Sequence, residues 1–176
     1  EHLADLAEEV ARFYGFHNIP NHMLQGAANG KLTHRQSFER KLGNTLLACG
    51  CTEVSTFSFI SPKAYDKICL PPDSELRNSI VILNPLGEDT SIMRTTILPS
   101  MLDVLSFNYN HKTEAACMYE MGTVYTPTTP DKLPIESQKV TIGMYGGGAD
   151  FFALKGIVEK LLDCLHVDHY DVEPVK

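Results

Sequence analysis

The sequence has little positive charge and no long apolar run, and each shortage excludes a class of protein. It carries 15 Lys and Arg against 22 Asp and Glu, which gives a net charge of -7. Because binding to nucleic-acid phosphates over a wide area needs clustered cations, we expect no DNA binding and only local or indirect contact with RNA. No stretch reaches the roughly 18 apolar residues of a membrane span, and the acidic start is unlike a signal peptide. We therefore expect a cytoplasmic protein that contacts no membrane.

The cysteines lack the arrangement of a disulfide framework or a zinc ribbon. They are odd in number and include no C-x-x-C pair. The five are Cys49, Cys51, Cys69, Cys117 and Cys164. We expect all of them to be reduced thiols.

The length favours one sizeable core with a small appendage. Among the 176 residues, 43% are hydrophobic. Apolar residues at helical spacing predict a first helix over 5–14, ended by Gly15. The abrupt start of this helix suggests that a further domain precedes it. The segment 18–32, with Pro20, Gly26 and Gly30, predicts a linker and a domain boundary.

Downstream of the linker, helices and strands mix without a regular βαβ order. Helices are predicted over 34–49, with Phe38, Leu42, Leu46 and Leu47 on one face, over 99–110, and from the N-cap Asp150 to 165. A short helical turn is predicted over 62–68, and strands over 53–60, 79–83, 114–124 and 138–145. The pattern predicts an α+β fold with an antiparallel sheet flanked by helices.

Three motifs, in this order and spacing, carry a resemblance to a known family. They are Phe38-Glu39-Arg40-Lys41-Leu42, the stretch from Asn84 to Leu102, and Met118-Tyr119-Glu120-Met121-Gly122. Together they resemble the catalytic-like module of the bacterial phenylalanyl-tRNA synthetase beta chain, a non-catalytic relative of the class II aminoacyl-tRNA synthetase fold. The resemblance implies that residues 1–25 end a preceding small domain with its linker. Residues 26–176 would form most of the module, truncated at its C-terminus.

The resemblance implies an architectural role in phenylalanine-tRNA ligase. A catalytic class II enzyme has an arginine two residues before the motif-two glutamate, where it neutralises the α-phosphate of ATP. Glu120 matches that glutamate, and the earlier position is Met118. The family's active site lies in the alpha chain, which uses ATP to attach phenylalanine to tRNA(Phe) within a heterotetramer of two alpha and two beta chains. The family's editing and anticodon-binding domains would lie outside this sequence.

Three acidic residues of the first helix form the candidate metal site. Asp5, Glu8 and Glu9 have the spacing i, i+3 and i+4, which places their carboxylates on one face. Spacing alone favours a simpler role, in which acidic residues complement the helix macrodipole. In the resembled family the matching residues are magnesium ligands shared with the alpha chain. A further family aspartate would fall just before Glu1, so we expect an incomplete Mg2+ site.

We expect no catalytic and no cofactor-binding residue. Gly146-Gly147-Gly148 precede a helix as in a phosphate-binding loop, yet no Lys-Ser or Lys-Thr follows. Asp150 would repel an anion there, which favours a simple turn.

Assembly on the alpha chain is the leading hypothesis, and two alternatives stay open. The candidate docking residues, each of which could equally be core, are Phe38, Leu42, Leu46, Val54 and Phe57. The first alternative is a free-standing class II-like protein that binds a ligand or performs adenylation, with Arg94 as its candidate phosphate ligand; a helix-start or turn contact is the simpler role for this arginine. The second is a generic interaction module. An exposed sheet edge further predicts a dimer or higher oligomer in isolation.

Overall fold

A computed structural model describes residues 2–23, 26, 30–129 and 132–173. Contacts divide the chain into two compact units, Glu1–Leu32 and Thr33–Lys176. The predicted domain limits, 1–25 and 26–176, remain a prediction. Part of the predicted linker, at 24, 25 and 27–29, lies outside the described residues.

The described part of the first unit contains a helix and a tight turn. Helix α1 spans Leu3–Tyr14, and a 3₁₀ turn follows at Phe16–Asn18. Gly15 joins them with a φ of 93°, a value that a side chain would disfavour, and its N–H donates to Ala11 O. This confirms the predicted helix end. The apolar residues of α1 are exposed within the described structure.

The described residues of the second unit form four helices and five strands. The helices are α2 (His34–Ala48), α3 (Ala64–Lys67), α4 (Leu98–Asn110) and α5 (Phe151–Cys164). The strands are β1 (Thr52–Glu53), β2 (Phe59–Ile60), β3 (Ile92–Met93), β4 (Ala116–Thr126) and β5 (Ile135–Tyr145). The predicted helices at 34–49, 99–110 and 150–165 are thereby confirmed, and α3 lies within the predicted turn.

Local sequence signals fix the helix starts. The Thr33 hydroxyl accepts from Gln36 N at the start of α2, and the Asp150 carboxylate accepts from Ala153 N at 2.7 Å at the start of α5. Pro99 lies in the first turn of α4, where no amide donor is required. These caps satisfy backbone N–H groups that the helices leave free.

The main sheet is mixed. Its order is β1-β4-β5, with β1 parallel to β4 and β5 antiparallel to β4 over eleven residue pairs. A second, two-stranded antiparallel sheet joins β2 to β3. The α+β class is confirmed, although the short β1 adds a parallel pair to the expected antiparallel sheet.

Helices pack on both faces of the main sheet. On one face Tyr119 of β4 lies fully buried among Leu42 and Leu46 of α2 and Leu161 of α5. On the other face α4 approaches β5 so closely that a β-carbon at Gly143 would lie 2.6 Å from Leu105 Cδ1. The sheet is therefore the middle layer of three.

The predicted single strand at 53–60 is wrong. Only its two ends, β1 and β2, are strands, because the backbone between them finds other partners. Thr56 N donates to the Glu120 carboxylate at 3.4 Å, and Ser58 O accepts from Arg94 N at 3.0 Å. A side chain and a distant loop thus take the place of a neighbouring strand.

The predicted strand at 79–83 is also wrong. Its pairing is reduced to an isolated bridge between Val81 and Ile92, with Ile80 O and Ile82 N bonded to the same short segment. Leu83 is fully exposed. The partner β3 is only two residues long, so it offers no ladder for a longer strand.

Two further predictions concern α2 and the glycine turn. Leu42 and Leu46 are buried as predicted, whereas Phe38 and Leu47 are about half exposed. Gly146-Gly147-Gly148 form the predicted turn: all three have positive φ, and Ala149 N donates to Gly146 O at 2.7 Å.

All five cysteines lie in the described residues and are free thiols, as expected. The helices of the described ranges include none that combines the length and apolar character needed to cross a bilayer.

The α2 core gives a first prediction, because adjacent leucines differ in burial. Leu46 is 0% exposed and Leu47 is 51% exposed. We expect Leu46→Ala to lower the free energy of unfolding by about 2–5 kcal/mol, since it leaves a cavity in the core. Leu47→Ala is the matched control and is expected to change it by less than about 1 kcal/mol. Urea denaturation of both variants measures the difference, and equal losses would contradict this placement of α2.

Candidate functional site

One face of β4 carries the residues that match motif two. Because side chains alternate along a strand, Met118, Glu120 and Gly122 lie on the same face. Met118 is half buried and Glu120 is buried. This is the face that packs toward α4, where a β-carbon at Gly122 would contact Ile97 Cδ1 at 3.0 Å.

Arg94 supplies a cation to this face from the loop after β3. Its Nη1 donates to Glu120 Oε1 at 2.9 Å and to Thr56 Oγ1 at 2.8 Å, and its Nε donates to Thr123 O at 2.9 Å. The guanidinium passes directly over Gly122, where any β-carbon would overlap it. The absence of a side chain at Gly122 therefore makes room for Arg94.

The Arg94–Glu120 pair is sealed from solvent. Both residues are 2% exposed. Thr56 completes the network, because its hydroxyl also donates to Glu120 Oε2 at 2.7 Å. Removing one partner of such a pair leaves an uncompensated buried charge, which is far more costly than losing an exposed pair. The arrangement fixes structure and holds no charge ready for a ligand.

The Arg94 network bears directly on the two roles considered for this arginine. Its guanidinium is buried, and it bonds to Glu120, Thr56 and the Thr123 carbonyl. Contact with a phosphate would require Arg94 to leave Glu120. The alternative hypothesis of a ligand-binding or adenylating protein therefore loses its candidate phosphate ligand.

The segment 54–58 alternates in exposure although it forms no strand. Thr56 and Ser58 are half buried, and the Thr56 hydroxyl joins the Arg94 network, whereas Phe57 and Phe59 are exposed. Phe57 is 80% exposed. Over 56–59 the two polar residues are thus less exposed than the two aromatic residues, the reverse of the usual arrangement.

The outward aromatic residues border a groove of about 600 Å³. Phe57, Phe59 and Ile60 line one side, and Val104 and Phe107 of α4 line the other. At one end Lys67 and Asp103 form an exposed ion pair at 2.9 Å. An apolar groove with a charged end is typical of a surface that contacts another macromolecule.

The candidate magnesium ligands lie on the first turns of α1 and are exposed. The Asp5 carboxylate accepts from His2 N at 2.9 Å, and Glu9 pairs with Arg12. Within the part of the chain that the structure describes, no three His, Cys, Asp or Glu side chains converge as a metal-binding set. Asp5, Glu8 and Glu9 therefore do not form a complete Mg2+ site by themselves.

The five candidate docking residues divide into two groups. Leu42 and Leu46 belong to the core around Tyr119 and cannot contact a partner. Phe38 and Phe57 are exposed, and Val54 is half buried. Only the exposed members remain available for docking.

Sequence reasoning missed Phe59 and Phe107 as surface residues and missed the pairing of Arg94 with Glu120. The spacing of Phe57 and Phe59 was a usable signal, since residues two apart in an extended segment share a face. The ion pair left no local signal, because its partners are 26 residues apart.

Comparison with known proteins gives one family. The family model described as the phenylalanyl tRNA synthetase beta chain CLM domain matches residues 19–176. The phenylalanine–tRNA ligase beta subunits of Clostridium tetani and Clostridium acetobutylicum are each 46% identical over 167 residues, which is 93% of this chain. That of Carboxydothermus hydrogenoformans is 36% identical over 183 residues. The chain spans about a fifth of the length of these relatives, 21% for both Clostridium proteins and 23% for the third.

Solved structures agree on the fold. Two structures of pyrrolysyl-tRNA synthetase from Desulfitobacterium hafniense superpose with TM-scores of 0.60 and 0.61. They cover 78% and 77% of this chain, which in turn covers 47% and 48% of theirs, at 16% and 17% identity. At this identity the likeness extends to the fold alone, which is that of a class II synthetase.

The buried ion pair gives a second prediction. We expect Arg94→Met to lower the free energy of unfolding by about 3–5 kcal/mol, because Glu120 is left buried without its partner. Lys67→Met, which breaks the exposed pair with Asp103, is the matched control and is expected to cost less than about 1 kcal/mol. Thermal and urea unfolding measure both. A loss of less than about 1 kcal/mol in Arg94→Met would show that the burial of Glu120 does not require this cation.

Proposed function

The chain belongs to the phenylalanyl-tRNA synthetase beta-chain family, and we propose that its role in that enzyme is architectural. This proposal rests on the residues that occupy the motif-two face. Met118 stands where a catalytic class II enzyme places its phosphate-binding arginine, and a thioether cannot neutralise a phosphate. The nearby cation, Arg94, is held by Glu120 and Thr56. This face therefore lacks the charge that amino-acid activation needs.

We propose that catalysis takes place in an alpha chain. In that enzyme the alpha chain would form phenylalanyl-adenylate from ATP and transfer the phenylalanyl group to tRNA(Phe). Two alpha and two beta chains would assemble as a heterotetramer in the cytoplasm. The acidic balance of this chain favours tRNA contacts that are local or that are made through the assembled enzyme.

The groove beside Phe57 is the surface that we propose for docking on the alpha chain. Its apolar side chains, Phe57, Phe59 and Phe107, are exposed in the chain alone. Burial of such aromatic residues in a partner is a main source of binding free energy. The Arg94 network supports this role, because it holds Thr56 and thereby the neighbouring Phe57 in place.

We further propose that Asp5, Glu8 and Glu9 form part of a Mg2+ set completed by groups outside this chain. Carboxylates are the ligands that Mg2+ prefers, and it is commonly held by one or two of them together with water. When bound, the ion would supply positive charge at the boundary with the partner. Calorimetric titration with Mg2+ tests this: binding that appears only with the alpha chain and disappears in Glu8→Gln supports it, whereas unchanged binding in Glu8→Gln would contradict it.

The docking proposal gives a third prediction. Phe57→Ala is expected to weaken association with a phenylalanyl-tRNA synthetase alpha chain by at least about tenfold, because it removes an aromatic anchor. Phe152→Ala is the matched control, since Phe152 is similarly exposed, 76% against 80%, but lies on α5 outside the groove. Co-purification followed by surface plasmon resonance measures both affinities.

One result would contradict the proposed docking surface, and another would contradict the architectural role. Equal losses of affinity for the alpha chain in Phe57→Ala and Phe152→Ala would show that the interface lies outside the groove. Tight ATP binding by the chain alone, abolished by Arg94→Ala in a variant that remains folded, would favour the ligand-binding alternative.

A further inference from the structure

Two of the five thiols lie against each other inside the second unit. Cys51 directly precedes β1, and Cys117 is the second residue of β4. The parallel pairing of Thr52 with Met118, extended by one residue, places the two cysteines side by side on adjacent strands. Their sulfur atoms are 3.1 Å apart. A disulfide bond is about 2.05 Å long, so the two sulfur atoms, now 3.1 Å apart, would have to approach by about 1 Å.

The other thiols are in different surroundings. Cys164 accepts a hydrogen bond from the Thr45 hydroxyl at 3.0 Å, and Cys69 is exposed in the loop after α3. Cys49 packs against the same core cluster as Cys51. The sulfur atom of Cys51, however, contacts the sulfur atom of Cys117.

We propose that Cys51 and Cys117 form a dithiol site that reacts reversibly with small disulfides of the glutathione class. The site rests on strand register and sulfur separation, and it is independent of the proposed docking role.

The difference in exposure sets the order of the reaction. Cys51 is buried, whereas Cys117 is half buried and can meet a reagent from solvent. Burial raises the pKa of the Cys51 thiol to about 12, with further contributions from the hydrogen bond and charge of Cys117. Cys51 therefore remains a thiol, and reaction begins at Cys117.

The exchange takes place in two steps. The Cys117 thiolate attacks one sulfur of oxidised glutathione, forms a mixed disulfide and releases one glutathione thiolate. Cys51 then attacks the Cys117 sulfur, and the second glutathione leaves and takes up the proton that Cys51 gives up. Two protein thiols are oxidised to one disulfide, and one glutathione disulfide is reduced to two glutathione thiols.

The bond would fix the start of the segment that carries Phe57. Cys51 leads into β1, and Val54 N, three residues later, donates to Tyr119 O at 2.9 Å. A covalent link from Cys51 to β4 adds to this attachment. It also closes a loop between residues 66 positions apart, which restricts the unfolded chain.

Mass spectrometry of the native protein tests the site. The chain is equilibrated with oxidised glutathione, free thiols are blocked with iodoacetamide, and trypsin is added. The expected product links Leu42–Lys63 to Thr113–Lys132. Because the first peptide contains both Cys49 and Cys51, the experiment is repeated with Cys49→Ser, which leaves Cys51 as its one cysteine.

We expect the same cross-link in wild type and Cys49→Ser, its loss in Cys117→Ser, and its reversal by dithiothreitol. The midpoint of thermal unfolding should rise by several degrees on oxidation of Cys49→Ser and return on reduction. A cross-link that disappears in Cys49→Ser would assign the partner as Cys49 and overturn the proposal. A stable glutathione adduct on Cys117 without a cross-link, or a cross-link that forms only in urea, would also overturn it.

Discussion

The ion pair between Arg94 and Glu120 is the interaction on which the second unit depends. It joins the loop after β3 to the middle strand of the main sheet, and through Thr56 it also holds the segment between β1 and β2. The loop and this segment lie outside the regular strands, whereas β4 is paired with β5 along its whole length. A buried charge that must be neutralised gives them one permitted arrangement, because any displacement would leave a carboxylate or a guanidinium without a partner.

The same interaction explains how a synthetase-like fold persists where the catalytic charge is absent. On the motif-two face, Gly122 gives room to the guanidinium and Met118 offers no charge. The face is filled by protein groups that satisfy one another. Through Thr56 this network holds the segment beside it, on which Phe57 is exposed.

Local sequence signals predicted the helices well and the short strands poorly. Thr33, Pro99 and Asp150 lie at helix starts whose physics is local, and the structure confirms all three helices. The strand predicted at 53–60 failed because alternation identifies inward and outward faces but cannot identify the hydrogen-bond partner. Thr56 and Ser58 bond to Glu120 and to Arg94, which are remote in sequence.

The residues of the candidate site were likewise only partly predictable from the sequence. The resemblance identified the family and the importance of Met118 and Glu120. The five candidate docking residues, in contrast, include both buried and exposed side chains. Leu42 and Phe38 are four residues apart on one helix, yet one is core and the other surface. That distinction depends on where β4 and α5 pack, and no local pattern contains this information. The three acidic residues of α1 raise a related difficulty, since ligands from another chain leave no trace in this sequence.

The separation along the chain of the three network residues has a consequence for folding during synthesis. Thr56 precedes Glu120 by 64 residues and Arg94 precedes it by 26. A ribosome therefore produces the threonine and the arginine before the carboxylate to which both bond. Until β4 has been made, the contacts of Thr56 with Glu120 cannot form. The segment that carries Phe57 is thus synthesised early, but its contacts with β4 form only later.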